Sequence, residues 1–182
     1  MRVIAGTARG VKLATLDGGE ITRPTLDRVK EGVFSALNFL LPGASVLELF
    51  AGSGQLGIEA LSRGASTCVF IDNSAEAQRI ILENVKAAAL QKQARVASTD
   101  AVSYVANCRE KFDIILLDPP FHHGTVAQLL PQLAAITAPR GVVMAETELA
   151  AQLPEQAGCL TLAKTYKYGT VRVWRYVNNE EE

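Results

Sequence analysis

Glu48-Leu49-Phe50-Ala51-Gly52-Ser53-Gly54-Gln55-Leu56-Gly57 is the stretch on which the reading of the fold turns. It grows out of a compact apolar run, Ser45–Phe50, and its glycines at 52, 54 and 57 satisfy G-x-G-x-x-G. A buried strand that runs into such a loop and then into a helix opens a doubly wound α/β sheet. The glycines allow positive φ and close backbone approach, which suits a pyrophosphate or an amino-acid cofactor equally. Asp72, at the end of the next apolar run, would accept from a ribose diol in either case. The loop alone leaves the ligand open.

Outward from the loop, short β-rich runs alternate with helical patterns. Thr67–Ile71 is followed by Ser74 as an N-cap and a helix carrying Ala77, Ile80, Ile81 and Val85 on one face. A strand near residues 95–97, a helix around Ala101–Asn107, the strand Phe112–Leu117, a helix Thr125–Ile136 and a strand Gly141–Glu146 come next. Continuous apolar strands between helices imply a parallel sheet covered on both faces. Leu160–Tyr166 and Val171–Tyr176, separated by residues 167–170, read as an antiparallel hairpin closing the sheet. The organisation expected is therefore an N-terminal extension over residues 1–44, a core domain over 45–177 and an acidic tail over 178–182. In the extension, Val3–Ala5 and Lys12–Leu16 can pair around Gly6–Gly10, and a helix runs from about Asp27 to Leu40.

Two acids narrow the ligand. Glu48 lies four residues before Gly52, near the strand end, where a pyrophosphate would be repelled. S-adenosylmethionine instead brings an ammonium and a sulfonium. Asp100-Ala101 follows the third strand, where an adenine amino group can donate to the carboxylate. The competing reading of Glu48 is an ion pair with a neighbouring Lys or Arg.

Phe112–Leu117 runs straight into Asp118-Pro119-Pro120-Phe121. Prolines fix φ and restrict their predecessors to extended conformations. The Asp118 carboxylate and the Pro119 carbonyl can thus be held pointing into a pocket at the carboxyl edge of the sheet. Both are acceptors, which is what a planar amine needs. Accepting its two hydrogens localises the nitrogen lone pair and stabilises developing positive charge. In-line methyl transfer then depends chiefly on positioning. Phe121 offers a stacking face for a base. His122 and His123 read as a loop beside the pocket rather than as a base or metal pair.

The 182 residues carry a net charge of −1, 48% hydrophobic and 20% charged residues. That composition belongs to a globular protein with a core and argues against a strongly basic nucleic-acid coat. The charge is uneven. Residues 1–30 hold six basic side chains (Arg2, Arg9, Lys12, Arg23, Arg28, Lys30) against three acids (Asp17, Glu20, Asp27). A second stretch holds Lys164, Lys167, Arg172 and Arg175 with no acid between them. These segments can contact phosphates, or serve only as solvated faces. Three cysteines without metal-ligand spacing point to a reduced cytoplasmic setting and no metal. No apolar run reaches the roughly 18 residues of a membrane span.

Six blocks taken together resemble one family. They are residues 1–6, Arg9-Gly10, Arg23-Pro24-Thr25 with Asp27-Arg28-Val29-Lys30-Glu31, residues 49–54, residues 57–65 from Gly57 to Ala65, and Leu117–Phe121. They are similar to the bacterial 16S ribosomal RNA guanine-N2 methyltransferases, of the class I amino-N-methylating branch marked by (D/N/S)-P-P-(Y/F/W). The resemblance implies a Rossmann-like sheet of seven strands with a small N-terminal hairpin and helix. It implies S-adenosylmethionine as methyl donor, with S-adenosylhomocysteine as product. The acceptor it implies is one guanine of 16S rRNA, met by a monomer on the small subunit or an assembly intermediate. Carried over by position, Glu48, Ala51, Gly52, Ser53, Gly54, Asp72, Asn73, Asp100, Ala101 and Asp118 would contact the cofactor. Asp118, Pro119 and Phe121 would serve the base, and Arg9, Arg23 and Arg28 would contact RNA. Two departures are Glu48 where relatives often carry Asp, and Phe121 where Tyr is commoner. Pocket chemistry alone leaves adenine-N6 or a protein glutamine as alternative acceptors, and a non-catalytic nucleotide-binding or NAD-dependent module as a further class.

Overall fold

The computed structural model describes residues 1–16, 24–120 and 124–180. Its strands are β1 (Ser45–Leu49), β2 (Thr67–Asp72), β3 (Ala94–Ser98), β4 (Phe112–Leu117), β5 (Thr137–Glu148), β6 (Gln156–Ala157), β7 (Leu160–Tyr168) and β8 (Val171–Asn178). They form one sheet in the order β3-β2-β1-β4-β5-β8-β7-β6. The first five pair in parallel and β8 and β7 return antiparallel. The helices are α1 (Pro24–Leu37), α2 (Gln55–Ser62), α3 (Ala75–Ala87), α4 (Ala101–Asn107) and α5 (Thr125–Ile136).

Strand alternation divides the core into two layers. Val46, Ile114, Leu116, Val142 and Met144 pack with α1, α2 and α3, while Leu47, Ile115, Leu117, Val143 and Ala145 pack with α4 and α5. The strands are apolar on both faces because both are covered. β1 has β2 on one side and β4 on the other, so the chain reverses its direction of travel across the sheet there. The crevice outside the carboxyl ends of β1 and β4 is where an open α/β sheet takes its ligand.

The N-terminal segment joins the first layer. Arg2 and Lys12 bridge antiparallel, and the Val3 and Gly10 N–H groups donate to the Val11 and Val3 carbonyls, each at 2.9 Å. Glu59 of α2 holds this hairpin: its carboxylate accepts from the N–H of Ile4 (2.8 Å) and of Ala5 (3.0 Å). Val3, Leu13, Val29, Phe34 and Leu37 share one apolar cluster with α2 and the sheet, so the extension has no separate core.

Three boundaries differ from the periodicity. α1 ends at Leu37, and Leu40, expected on its buried face, is half exposed beside a solvent-facing Phe39. β5 begins at Thr137 rather than Gly141, with a register shift against β4 and Arg140 at φ +61°. The seven expected strands are joined by a two-residue edge strand, β6, too short to show any alternation in sequence.

Candidate active site

The glycine loop works by bringing α2 onto β1. Gly54 is its αL N-cap at φ +73°, a conformation that strains an L side chain. At Gly57 an added Cβ would sit 2.4 Å from the Phe70 ring, 2.6 Å from Cys68 Sγ and 2.7 Å from Glu48 Oε2. Only a residue without a side chain lets the helix approach so closely. Phe50 is held at φ +59°, a strained conformation for a side-chain-bearing residue at the mouth of the cleft.

Glu48 lies under this loop. It is 3% exposed, and its two oxygens accept from the N–H of Leu56 (3.2 Å) and Gly57 (2.9 Å), in the first turn of α2. Burial, partly offset by those two donors, pushes its carboxyl up to about 8. The expectation that Glu48 faces a ligand from the strand end is therefore modified. It faces helix amides, and it reaches the cleft through the loop it holds. Asp72 ties down the other side, accepting from Gly52 N–H (2.8 Å) and Ser74 N–H (2.9 Å) while still bordering the cleft. Ala51 and Ser53 are buried in the same loop.

The cleft itself measures about 560 Å³. Asp72, Asn73, Asp100 and Asp118 border it together with the apolar surfaces of Ile71 and Ala101. Among the described residues, three carboxylates with Asn73 and Thr125, and no basic side chain, form its polar wall. Asp100 caps α4 by accepting from Ser103 N–H (2.9 Å), and the Ser103 hydroxyl, then that N–H, lower its pKa. Asp118 is partly open to the cleft, and desolvation raises its carboxyl to about 6. Pro119 is buried and Pro120 exposed, so the proline pair turns the chain out of the sheet. Phe121, His122 and His123 lie outside the described residues, as does Arg23.

The RNA candidates separate. Arg9 is exposed in the turn beside Ser62, at the end of α2 remote from the glycine loop, roughly 12 Å along the helix. Arg28 is exposed on the half of α1 nearer the reacting edge. Lys167 and Arg172 also lie at that edge, because β8 starts antiparallel to the end of β5, with Val171 opposite Glu148.

The family described as Conserved hypothetical protein 95 matches residues 1–177. Ribosomal RNA small subunit methyltransferase D of Escherichia coli (strain K12) is 34% identical over 156 residues, covering 85% of this chain and 78% of that one. The chain belongs to this small subunit methyltransferase D family. Bacillus subtilis (strain 168) has a relative named "Putative rRNA methyltransferase YlbH", 38% identical over 181 residues, covering 97% of this chain and 98% of that one. The solved structure described as "Putative methyltransferase yhhF from Escherichia coli" superposes at a TM-score of 0.87 with 32% identity, over 100% of this chain and 99% of that one.

In this member of the methyltransferase D family the sequence reading missed two acids. Glu59, wholly buried, organises the N-terminus. Glu146 stands at the end of β5 beside Asp118, where burial, then the Asp118 charge, raises its carboxyl to about 8. Apart from the i,i+4 pair of Glu59 with Arg63, nothing in the sequence links either to its neighbours, which are 28 to 55 positions away. Among the described residues, no helix is long and apolar enough to cross a membrane.

Proposed function

We propose that the protein transfers a methyl group from S-adenosylmethionine to the N2 amine of a guanine in small-subunit ribosomal RNA. The observation that carries this reading is the wall of Asp72, Asp100 and Asp118, with no cation among its described residues, at the topological switch point. A dinucleotide pyrophosphate would meet only like charge there. A cofactor carrying an ammonium and a sulfonium meets opposite charge. S-adenosylmethionine, when bound, supplies an electrophilic methyl carbon. Asp72 retains lone pairs for ribose hydroxyls, Asp100 reaches an adenine amine, and Ile71 and Ala101 offer an apolar seat for the ring.

At the reacting edge Asp118 and the Pro119 carbonyl accept the two hydrogens of the substrate amine. That pulls the nitrogen out of conjugation and faces its lone pair into the cleft. The positive charge that develops on nitrogen falls beside a carboxylate in a poorly solvated setting, where it is strongly stabilised. The stacking contact with the flipped base is assigned to Phe121, which follows Pro120 in sequence. Arg28, Lys167 and Arg172 form the basic rim that would take the flanking phosphates, and Arg9 extends the footprint.

The relatives named as rRNA and small-subunit rRNA methyltransferases support this acceptor class. The test is to incubate the protein with labelled S-adenosylmethionine and small subunits from a strain lacking it, and to digest the RNA for mass spectrometry. N2-methylguanosine at one position is expected. Label confined to protein, or to adenine, would refute the acceptor.

A further inference from the structure

Between β4 and β5 the register pairs Leu116 with Met144 and Leu117 with Ala145. Carried one residue further, it sets Asp118 beside Glu146. Leu116 and Met144 belong to the layer beneath α1 and α2, and Leu117 and Ala145 to the opposite one. Alternation therefore projects Asp118 and Glu146 from the same face of neighbouring strands, roughly 5 Å apart. Glu146 borders a smaller cavity of about 120 Å³ whose wall shares Pro119, Pro120 and Thr125 with the main cleft. Among the described residues no hydrogen bond or ion pair occupies its carboxylate, and the charge that acts on it is that of Asp118.

Two adjacent, poorly hydrated carboxyl groups without donors of their own are costly unless donors arrive with a ligand. Their spacing selects the donor. Guanine presents N1–H next to N2–H₂, donors on two neighbouring ring-edge nitrogens. Adenine and cytosine set a lone pair beside their amine, and uracil has no amine.

We infer that Glu146 is a second acceptor for the substrate base, taking guanine N1–H while Asp118 and the Pro119 carbonyl take the N2 hydrogens. This rests on the guanine-N2 reading above. Glu146 thereby excludes adenine, whose N1 lone pair would face a carboxylate. The arrangement also fixes the rotation of the base in its plane, which Asp118 alone would leave loose.

The test uses small-subunit particles reconstituted with guanine, 2-aminopurine or adenine at the methylated position. 2-Aminopurine keeps the N2 amine and replaces N1–H with a lone pair. Wild-type protein should prefer guanine to 2-aminopurine in kcat/KM by roughly 10- to 100-fold, the range of one good base-edge contact. Glu146→Gln, whose amide can donate to that lone pair, should narrow the ratio about tenfold or more while binding S-adenosylhomocysteine as before. Glu146→Asp should keep the preference at a higher KM for the particle. An unchanged ratio in Glu146→Gln, with wild-type transfer to guanine intact, overturns the inference alone. Wild-type transfer to adenine and not guanine overturns the guanine reading and the inference with it.

Discussion

Lys30 and Glu59 form a buried ion pair, Nζ to Oε2 3.1 Å, with side chains 2% and 0% exposed. The pair is embedded in a network. Lys30 Nζ also donates to the Arg2 carbonyl at 2.9 Å, and Glu59 also takes Arg63 Nε at 2.8 Å and the Ile4 and Ala5 N–H groups. Removing one member leaves a buried charge and several donors without partners.

Glu59→Ala is accordingly expected to lower stability by about 3–5 kcal/mol, the range for an uncompensated buried charge. In a chain of this size that is a fall of roughly 10 °C in melting temperature. Calorimetry checks it, and a change of about 1 kcal/mol or less would show that the network contributes little. Lys30→Met, which substitutes an apolar chain for the ammonium, leaves Glu59 without its ammonium partner and is expected to be nearly as damaging.

Asp118 accepts through both oxygens and carries its stabilising charge only as a carboxylate, since protonation turns one oxygen into a donor. Its pKa is raised to about 6 by desolvation, so the acceptor form is lost as pH falls through that value. In a Glu146→Gln background with saturating cofactor, kcat/KM for the RNA particle should be flat above about pH 7 and fall about tenfold per unit below about 6. In the wild type the fall should begin near pH 8, where Glu146 also takes up a proton. Asp118→Ala should lose on the order of 100-fold or more in turnover even at saturating cofactor. A flat profile down to pH 5 would remove Asp118 from the chemistry.

Glu48, Asp118 and Glu146 all titrate higher in the folded protein than in the unfolded chain, Glu48 and Glu146 at about 8. The folded state therefore binds more protons between about pH 4.5 and 8, and stability falls as pH rises through that window. Ligand-free protein should melt higher at pH 6 than at pH 8.5 at matched ionic strength. Glu48→Gln should flatten that dependence, and equal melting points at the two pH values would contradict the assignment.

Gly57→Ala puts a methyl group within 2.4 to 2.7 Å of Phe70, Cys68 and Glu48. Overpacking of this kind costs about 1–3 kcal/mol, and here it also pushes α2 away from the loop. Urea unfolding should show the loss, and calorimetric titration should show weaker S-adenosylhomocysteine binding. Full binding by a destabilised variant would mean that the loop keeps its shape without close helix contact.

The parallel sheet, the α5 span Thr125–Ile136 and the C-terminal hairpin were legible because their apolar periodicity is local. Leu40 departs from its periodicity because the helix ends at Leu37 and residues 38–40 form a turn, ahead of the expected stop at Leu41-Pro42-Gly43. At the site, Asp118-Pro119 and the glycines announce themselves by residue type and spacing. Glu48 reads as a ligand contact because a carboxylate beside the glycine loop repels a pyrophosphate and suits a cationic cofactor. Its actual partners are amides eight and nine positions on, brought there by the close approach at Gly57. Glu146 and Glu59 sit in unremarkable apolar contexts, and only strand register and helix docking reveal their neighbours.

Asn84 of α3 accepts from Ala14 N–H at 2.7 Å and donates to the carbonyls of Ala14 (3.0 Å) and Ser53 (2.9 Å). With Glu59, it makes the docking of the first sixteen residues depend on partners 54 to 70 positions later in the chain. On a translating ribosome, at about 5–20 residues per second, those partners appear several seconds after the segment that needs them. This segment is thus made well before it is able to settle. Until it does, the edges of Val3 and Leu13 are open to any chaperone waiting at the exit tunnel.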